Sequence, residues 1–251
     1  MKKLLILMLT VVVTVSLTAC TGAQKEAYDL YLDMNKAMEG ITSVEMEVDS
    51  NISMDIQGQA VDMKLTGTAR EIIRSQTDID MEMVMDMTFM GQAMTSTSYF
   101  KDGYLYQEVA GMKQKSAMDL EQATAMGNAM QSMQFEKDAV LTSSVTDVDD
   151  DKELAFTLSG DKVTEIMNAM VGSTLDSLGA GDVAMEVGDL TYSVIIGKDN
   201  LAKSADIAFT MTMEVEGETV GMEYQITQVM TAYDTLTEIS FPADLADYPE
   251  A

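Results

Sequence analysis

The chain has 251 residues, with 42 Asp and Glu against 15 Lys and Arg, one Cys, and no His or Trp. Without histidine there is no Ser-His-Asp or Cys-His catalysis and no His-ligated metal. A net charge of −27 makes nucleic acid and anionic lipid headgroups poor partners, and the apolar content is too high for a disordered chain.

Lys2 and Lys3 precede an almost unbroken apolar run of twelve residues, Leu4 to Val15, which ends in Leu17-Thr18-Ala19-Cys20. The run fits the h-region of a signal peptide and is shorter than the about 20 residues that a spanning helix needs. The segment resembles a bacterial lipobox. That resemblance implies a lipoprotein signal peptide at 1–19 and a diacylglycerol on Cys20. Residues 20–24 then form a lipidated tether, and the mature chain has no free thiol. The lipid places the protein at a membrane, on its extracytoplasmic face.

Ala27, Tyr31, Met34, Met38 and Ile41 fall at helical spacing and predict an amphipathic helix over 25–39, ended by Gly40. From Ser43 the period becomes two. Val44, Met46, Val48, Ile52, Met54 and Ile56 share one face, with Glu45, Glu47, Asp49, Asn51, Ser53 and Asp55 on the other. One wet face means antiparallel sheet. Gln57-Gly58-Gln59 turns the chain into a strand with Val61, Met63 and Leu65 inward. The clearest alternation follows: Ile79, Met81, Met83, Met85, Met87 and Phe89 against Asp80, Glu82, Asp86 and Thr88. Gly91-Gln92 returns it through Met94 to Phe100, and Asp102-Gly103 supplies the positive-φ pair of a tight hairpin before Tyr104.

Asp119 with Gln122 reads as a capping pair that opens a second helix to about residue 134. Strands are expected at roughly 138–147 and 153–159. Asp161 is expected to cap a third helix, closed by Gly179-Ala180-Gly181. The last third alternates again through Leu190–Ile196, Ile207–Val215 and Val220–Ile226, with a final short strand around Leu236 to Phe241. Met54 to Met63 echoes Met213 to Met222 at a constant offset of 159 residues. Duplication and convergence on a good hairpin sequence both account for this echo. No Pro- or Ser-rich linker divides 25–251, so a single domain is expected.

These elements predict an α+β fold, a large antiparallel sheet of ten or eleven strands with about three helices on its apolar face. Three helices are few for so many strands, and the uncovered remainder would be a hydrophobic groove. Methionine, flexible and polarizable, suits such a lining or plain core filling. Met81, Met83, Met85, Met87, Met211 and Met213 are the candidate ligand-binding residues. The run Met81-Glu82-Met83-Val84-Met85-Asp86-Met87 also raises thioether ligation of Cu(I). Its methionines share a face with aliphatic residues, however, and no His or Cys supports them, so no metal site is assigned. Asp147-Val148-Asp149-Asp150-Asp151 has Asp at calcium-loop positions 1, 3 and 5. Lys152 replaces the required Gly and Leu158 the required Glu, so it reads as an acidic turn. Carboxylates are plentiful, but no catalytic pair stands out. No catalytic residue and no cofactor is assigned.

The lipobox, the N-terminal helix, the one-sided strands and the hairpin Tyr99-Phe100-Lys101-Asp102-Gly103-Tyr104-Leu105-Tyr106 resemble the LolA/LppX-like lipoproteins. They are most similar to an uncharacterised branch of surface lipoproteins in Gram-positive bacteria. The resemblance covers most of 25–245. It implies a half-barrel whose concave face, partly plugged by helices, holds lipid or acyl chains, and it transfers no catalytic residue. Two functions follow as expectations. One is a membrane-anchored protein that binds a hydrophobic ligand in a Met-rich cavity. The alternative is a non-enzymatic envelope scaffold with a filled core, which binds a protein partner through its acidic surface.

Overall fold

A computed structural model of the chain describes residues 25–56, 58–75, 78–118, 134–165, 184–215 and 218–250. The expected signal peptide, Cys20, the tether, the helix expected over 119–133 and the body of the third expected helix lie outside the described residues. Among the described residues there are two α-helical segments rather than three, α1 over 25–38 and the opening of α2 over 160–165. Two short 3-10 turns, Lys137–Ala139 and Leu245–Asp247, add to them. Asp161 does not cap α2 but lies inside it. Ser159 occupies the capping position, its carbonyl accepting from Val163 N–H at 3.0 Å.

Among the described residues, twelve strands form one antiparallel sheet: β1 Ser43–Ile56, β2 Gln59–Ser75, β3 Asp78–Phe89, β4 Gln92–Lys101, β5 Tyr104–Val109, β6 Met112–Ala117, β7 Val140–Val148, β8 Asp151–Leu158, β9 Ala184–Val187, β10 Leu190–Ile196, β11 Ala202–Val215 and β12 Glu218–Tyr233. Their spatial order is β6-β5-β4-β3-β2-β1-β12-β11-β10-β8-β7, and β9 pairs with the far end of β11. Strands β6 and β9 were not foreseen.

Register shows why the alternation was legible. Val48 faces Gly67 on one side and Gln228 on the other, and Ile52 faces Met63 and Tyr224. The even residues of β1 therefore share one inner face with the odd residues of β2 and β3. The two echoing hairpins lie side by side through the β1–β12 pairing, with Met54 opposite Met222 and Met222 opposite Met211.

Helix α1 packs on the inner face of the β7–β11 half. Tyr31 and Met34 are fully buried there with Leu154, Phe156, Leu190, Tyr192 and Val194. Each such aliphatic side chain contributes about 1.5–3 kcal/mol on leaving water. Tyr31 is the centre. Its ring stacks on Phe135 at 4.2 Å and meets Phe156 edge-on at 5.7 Å, and its hydroxyl accepts from Phe135 N–H at 3.0 Å.

The expected final strand at 236–241 is absent. Residues 235–242 carry no regular structure, and the segment from Asp234 onward crosses the outer face of β4–β6 as a strap. Asp234 starts it by accepting from Thr42 N–H, Thr42 Oγ1–H and Ser43 N–H at 2.7, 2.8 and 3.3 Å. Phe241 then packs edge-on against Tyr99, and Tyr248 against Tyr106. Asp244 takes Lys113 at 2.6 Å. Finally, Lys115 N–H donates to Pro249 O at 2.7 Å, which covers the edge of β6.

Candidate functional site

The inner face divides into two parts. The β7–β11 half is filled by α1 and its aromatic cluster. Toward the hairpin ends of β1–β3, Ile52, Met54, Met63, Leu65, Met83, Met85, Met87 and Phe89 are only half-buried. Among the described residues they belong to neither buried hydrophobic cluster. Their positions follow from register: Met87 faces Leu65, Met85 faces Gly67, and Met83 faces Ala69. At Gly67 a Cβ would run into Val84 O and Met85 Sδ, so the missing side chain lets the Met85 thioether lie across β2. The result is an apolar trough floored by flexible thioethers.

Beyond β3 the same inner face turns polar without becoming charged. Ser96 and Ser98 stand opposite Met85 and Met83, Gln107 stands opposite Ser98, and Gln114 Nε2 donates to Gln107 Oε1 at 3.1 Å. Lys101, Glu108, Lys113 and Lys115 alternate onto the outer face. The surface therefore offers thioether contact on one side and neutral hydrogen-bonding groups on the other.

The six methionines singled out by sequence do not form one group. Met83, Met85 and Met87 lie in the trough. Met81 is buried at 5% exposure with Ile79 and Phe100 in a small separate cluster. Met211, at 7%, belongs to the main core, and Met213 packs against that core opposite Val220. Strands β3 and β11 stand four places apart, about 19 Å along the sheet. Met54, Met63 and Leu65 were not named as lining from sequence. Their place beside Met87 needs the β1–β2–β3 register, and alternation alone does not supply it. Glu71 is a buried carboxylate on the inner face, between Val44 and Met81, and sequence alone did not single it out.

The acidic turn at 147–151 is neutralised by lysines. Lys152 meets Asp147 at 2.9 Å, Lys198 meets Asp150 at 3.0 Å, and Lys203 meets Asp151 at 2.8 Å. Hydrogen bonding to these carboxylates pushes the Lys152 and Lys203 ammonium groups above their ordinary range. A groove of about 600 Å³ on the outer face of β7–β12 is lined by Thr142, Ser144, Thr157, Thr191 and Thr227. Its hydroxyls already pair locally: Thr142 bonds Thr157 at 2.9 Å and Thr227 donates to Asp206 at 2.6 Å. This groove is lined mainly by hydroxyls, whereas the inner-face strip is lined by thioethers and aliphatic side chains.

The fold aligns with several solved structures. LprF from Mycobacterium bovis is 13% identical, over 88% of this chain and 99% of that one, with a TM-score of 0.46. A domain from Vibrio parahaemolyticus named for outer membrane lipoprotein sorting is 6% identical, over 89% and 97%, with a TM-score of 0.26. A DUF1329 family protein from Desulfovibrio piger is 8% identical, over 85% and 94%, with a TM-score of 0.28. No curated protein matches the chain. A family model matches residues 26–249, and the chain belongs to that family, the family of unknown function DUF6612.

Proposed function

We propose that this chain is a membrane-anchored lipoprotein of the extracytoplasmic face that binds a hydrophobic ligand, a lipid or acyl chain, and performs no catalysis. The supporting observation is the divided inner face. One half is packed by α1, whereas Met83, Met85 and Met87 stay half-buried over a floor opened by Gly67. Apolar burial at about 25 cal/mol per Å² drives binding. The neutral Ser96, Ser98 and Gln107 patch beside the trough suits an uncharged polar headgroup, so the ligand is an amphiphile. Met81, buried with Ile79 and Phe100, and Met211 and Met213, at the main core, fill core in this reading and leave the trough to Met83, Met85 and Met87. Lipid on Cys20, and a place among LolA/LppX-like surface lipoproteins of Gram-positive bacteria, belong to the same proposal.

The test is uptake of a fluorescent fatty acid or monoacylglycerol. Met85→Gln and Met87→Gln, which keep length but add an amide, should each weaken binding about tenfold, in line with the loss of one buried thioether side chain. Unchanged uptake by both variants would contradict the reading. The scaffold alternative draws on the burial of Met81 and Met211, which shows that part of the methionine load fills core. It predicts a protein partner that crosslinks in cells and is lost on neutralising outer-face carboxylates.

A further inference from the structure

Six non-glycine residues among those described have positive φ. Four are Asp or Asn, the residues that tolerate the left-handed region: Asp102, Asp149, Asn200 and Asp234. The exceptions are Met90, at φ 49°, and Ala110, at φ 51°. Each precedes a glycine in a two-residue hairpin tip, Met90-Gly91 between β3 and β4 and Ala110-Gly111 between β5 and β6. The opposite end of the same meander uses Asp102-Gly103, the pair that such a turn prefers. Both exceptions therefore sit at one end of the sheet, where turn chemistry has been given up for apolar residues.

Those residues are not packed. Met90 is 74% exposed, Met112 73% and Met94 40%. Charge is also withheld from them. From Met87 to Phe100 no residue is charged, and none is from Val109 to Met112, in a chain carrying 42 acidic residues. The neighbouring β1–β2 and β11–β12 hairpins, whose tips lie at the same end, are flanked instead by Asp55 and Asp62 and by Glu214 and Glu218. Register places Ser96 opposite Val109, so the β3–β4 tip reaches about 13 Å past the β5–β6 tip. Met94 and Met112 share the inner side. The line Met90–Met94–Met112 is thus a diagonal, uncharged lip along the rim of the sheet.

We infer that this lip contacts a lipid bilayer directly, as a second point of membrane contact besides any anchor at Cys20. Three observations favour lipid over protein. The tips are narrow and convex, so they cannot offer the about 800 Å² per side of a stable protein interface. They carry no Trp, Tyr or Arg, the usual anchors of such an interface. And a molecule of net charge −27 approaches a zwitterionic or weakly anionic surface most readily through a part with no carboxylate. The inference does not require that the trough hold a ligand.

The test is peroxide footprinting of the full chain with phosphatidylcholine vesicles, read by mass spectrometry of methionine sulfoxide. Vesicles should slow oxidation of Met90 and Met112 at least fivefold and leave Met213, on the acid-flanked hairpin, unchanged. Equal rates with and without vesicles, or equal protection of Met213, would overturn the inference. A Met90→Asn, Ala110→Asn double variant should keep or raise Tm, because Asn suits the left-handed position at both tips, while Met94 and Met112 lose their vesicle protection; retained protection would also overturn it. Protection seen only in intact cells and not with vesicles would assign the lip to a protein partner instead. Fluorescent fatty acid uptake in the same samples reports on the trough separately: protection of the lip without uptake supports the bilayer contact and counts against the trough.

Discussion

Tyr31→Phe removes one buried hydroxyl from the middle of the filled half. Tyr31 is 1% exposed, and its hydroxyl accepts from Phe135 N–H at 3.0 Å across 104 residues of sequence. Phenylalanine keeps the 4.2 Å stack on Phe135 and the edge contact with Phe156, so ring packing is unchanged. What changes is that the N–H of Phe135, itself 6% exposed, loses its acceptor, and the Asn35 side chain loses its hydroxyl partner. A buried donor left unpaired costs about 1–3 kcal/mol. For a domain of this size each kcal/mol lowers Tm by roughly 2–4 °C, so the middle of the range predicts a fall of about 4–8 °C. Tyr31→Ala removes the ring as well and should lose about 3–5 kcal/mol, as large aromatic truncations do. Thermal unfolding by circular dichroism, with amide exchange at Phe135, reads both effects. A Tyr31→Phe variant that melts within 1 °C of the parent, with Phe135 exchange unchanged, would refute the assignment of α1 to the inner face through this bond.

Gly67→Ala should destabilise the fold by about 1–3 kcal/mol in urea titration, because the new methyl meets the Val84 carbonyl and the Met85 thioether. Asp234→Ala should loosen the start of the strap, giving faster amide exchange at Thr42 and Ser43. Hydrogen bonds from Thr42 and Ser43 hold the Asp234 carboxyl below the usual carboxylate range. A depressed native value means that its contribution is present above about pH 4 and is lost as pH falls through the native value, so the variant and the parent should converge in acid. Burial raises the phenols of Tyr192 and Tyr233 well above 10. The unfolded chain then releases protons that the folded chain keeps, so stability should fall above about pH 10, by up to about 1.4 kcal/mol per pH unit and per tyrosine. Tyr192→Phe should flatten that slope in alkaline melts; an identical slope would count against the burial of this phenol.

Much of the sheet was legible because one face is wet. The alternation through Val44–Met54 and Ile79–Phe89 tracks the observed inner face, and Asp102-Gly103 marked a real tight turn. Strand β6, Met-Lys-Gln-Lys-Ser-Ala, was missed because it is polar on both faces. Its outer lysines meet the strap, and its inner Gln114 pairs with Gln107. The segment after Leu236 looked like a strand because its apolar residues alternate for a short run. Ile239, Leu245 and Tyr248 are buried, but the segment runs over the outer face of β4–β6 rather than along an edge and meets the edge of β6 only at Lys115, so no ladder forms among the described residues. The division of methionines between core and trough was also invisible. Met81 and Met83 have the same local sequence pattern. Only their neighbours differ: Phe100 and Glu71 beside the first, Ser98 and Ala69 beside the second.

The most direct test of the central claim, that the Met83–Met87 trough holds a hydrophobic ligand, is native mass spectrometry of residues 21–251 purified from a bacterial host without detergent. The account predicts an adduct of several hundred daltons that is lost on denaturation, is identified by lipid analysis as an amphiphile with an uncharged headgroup, and is depleted by Met85→Gln. A clean apo mass, together with no uptake of added fatty acid, would contradict it.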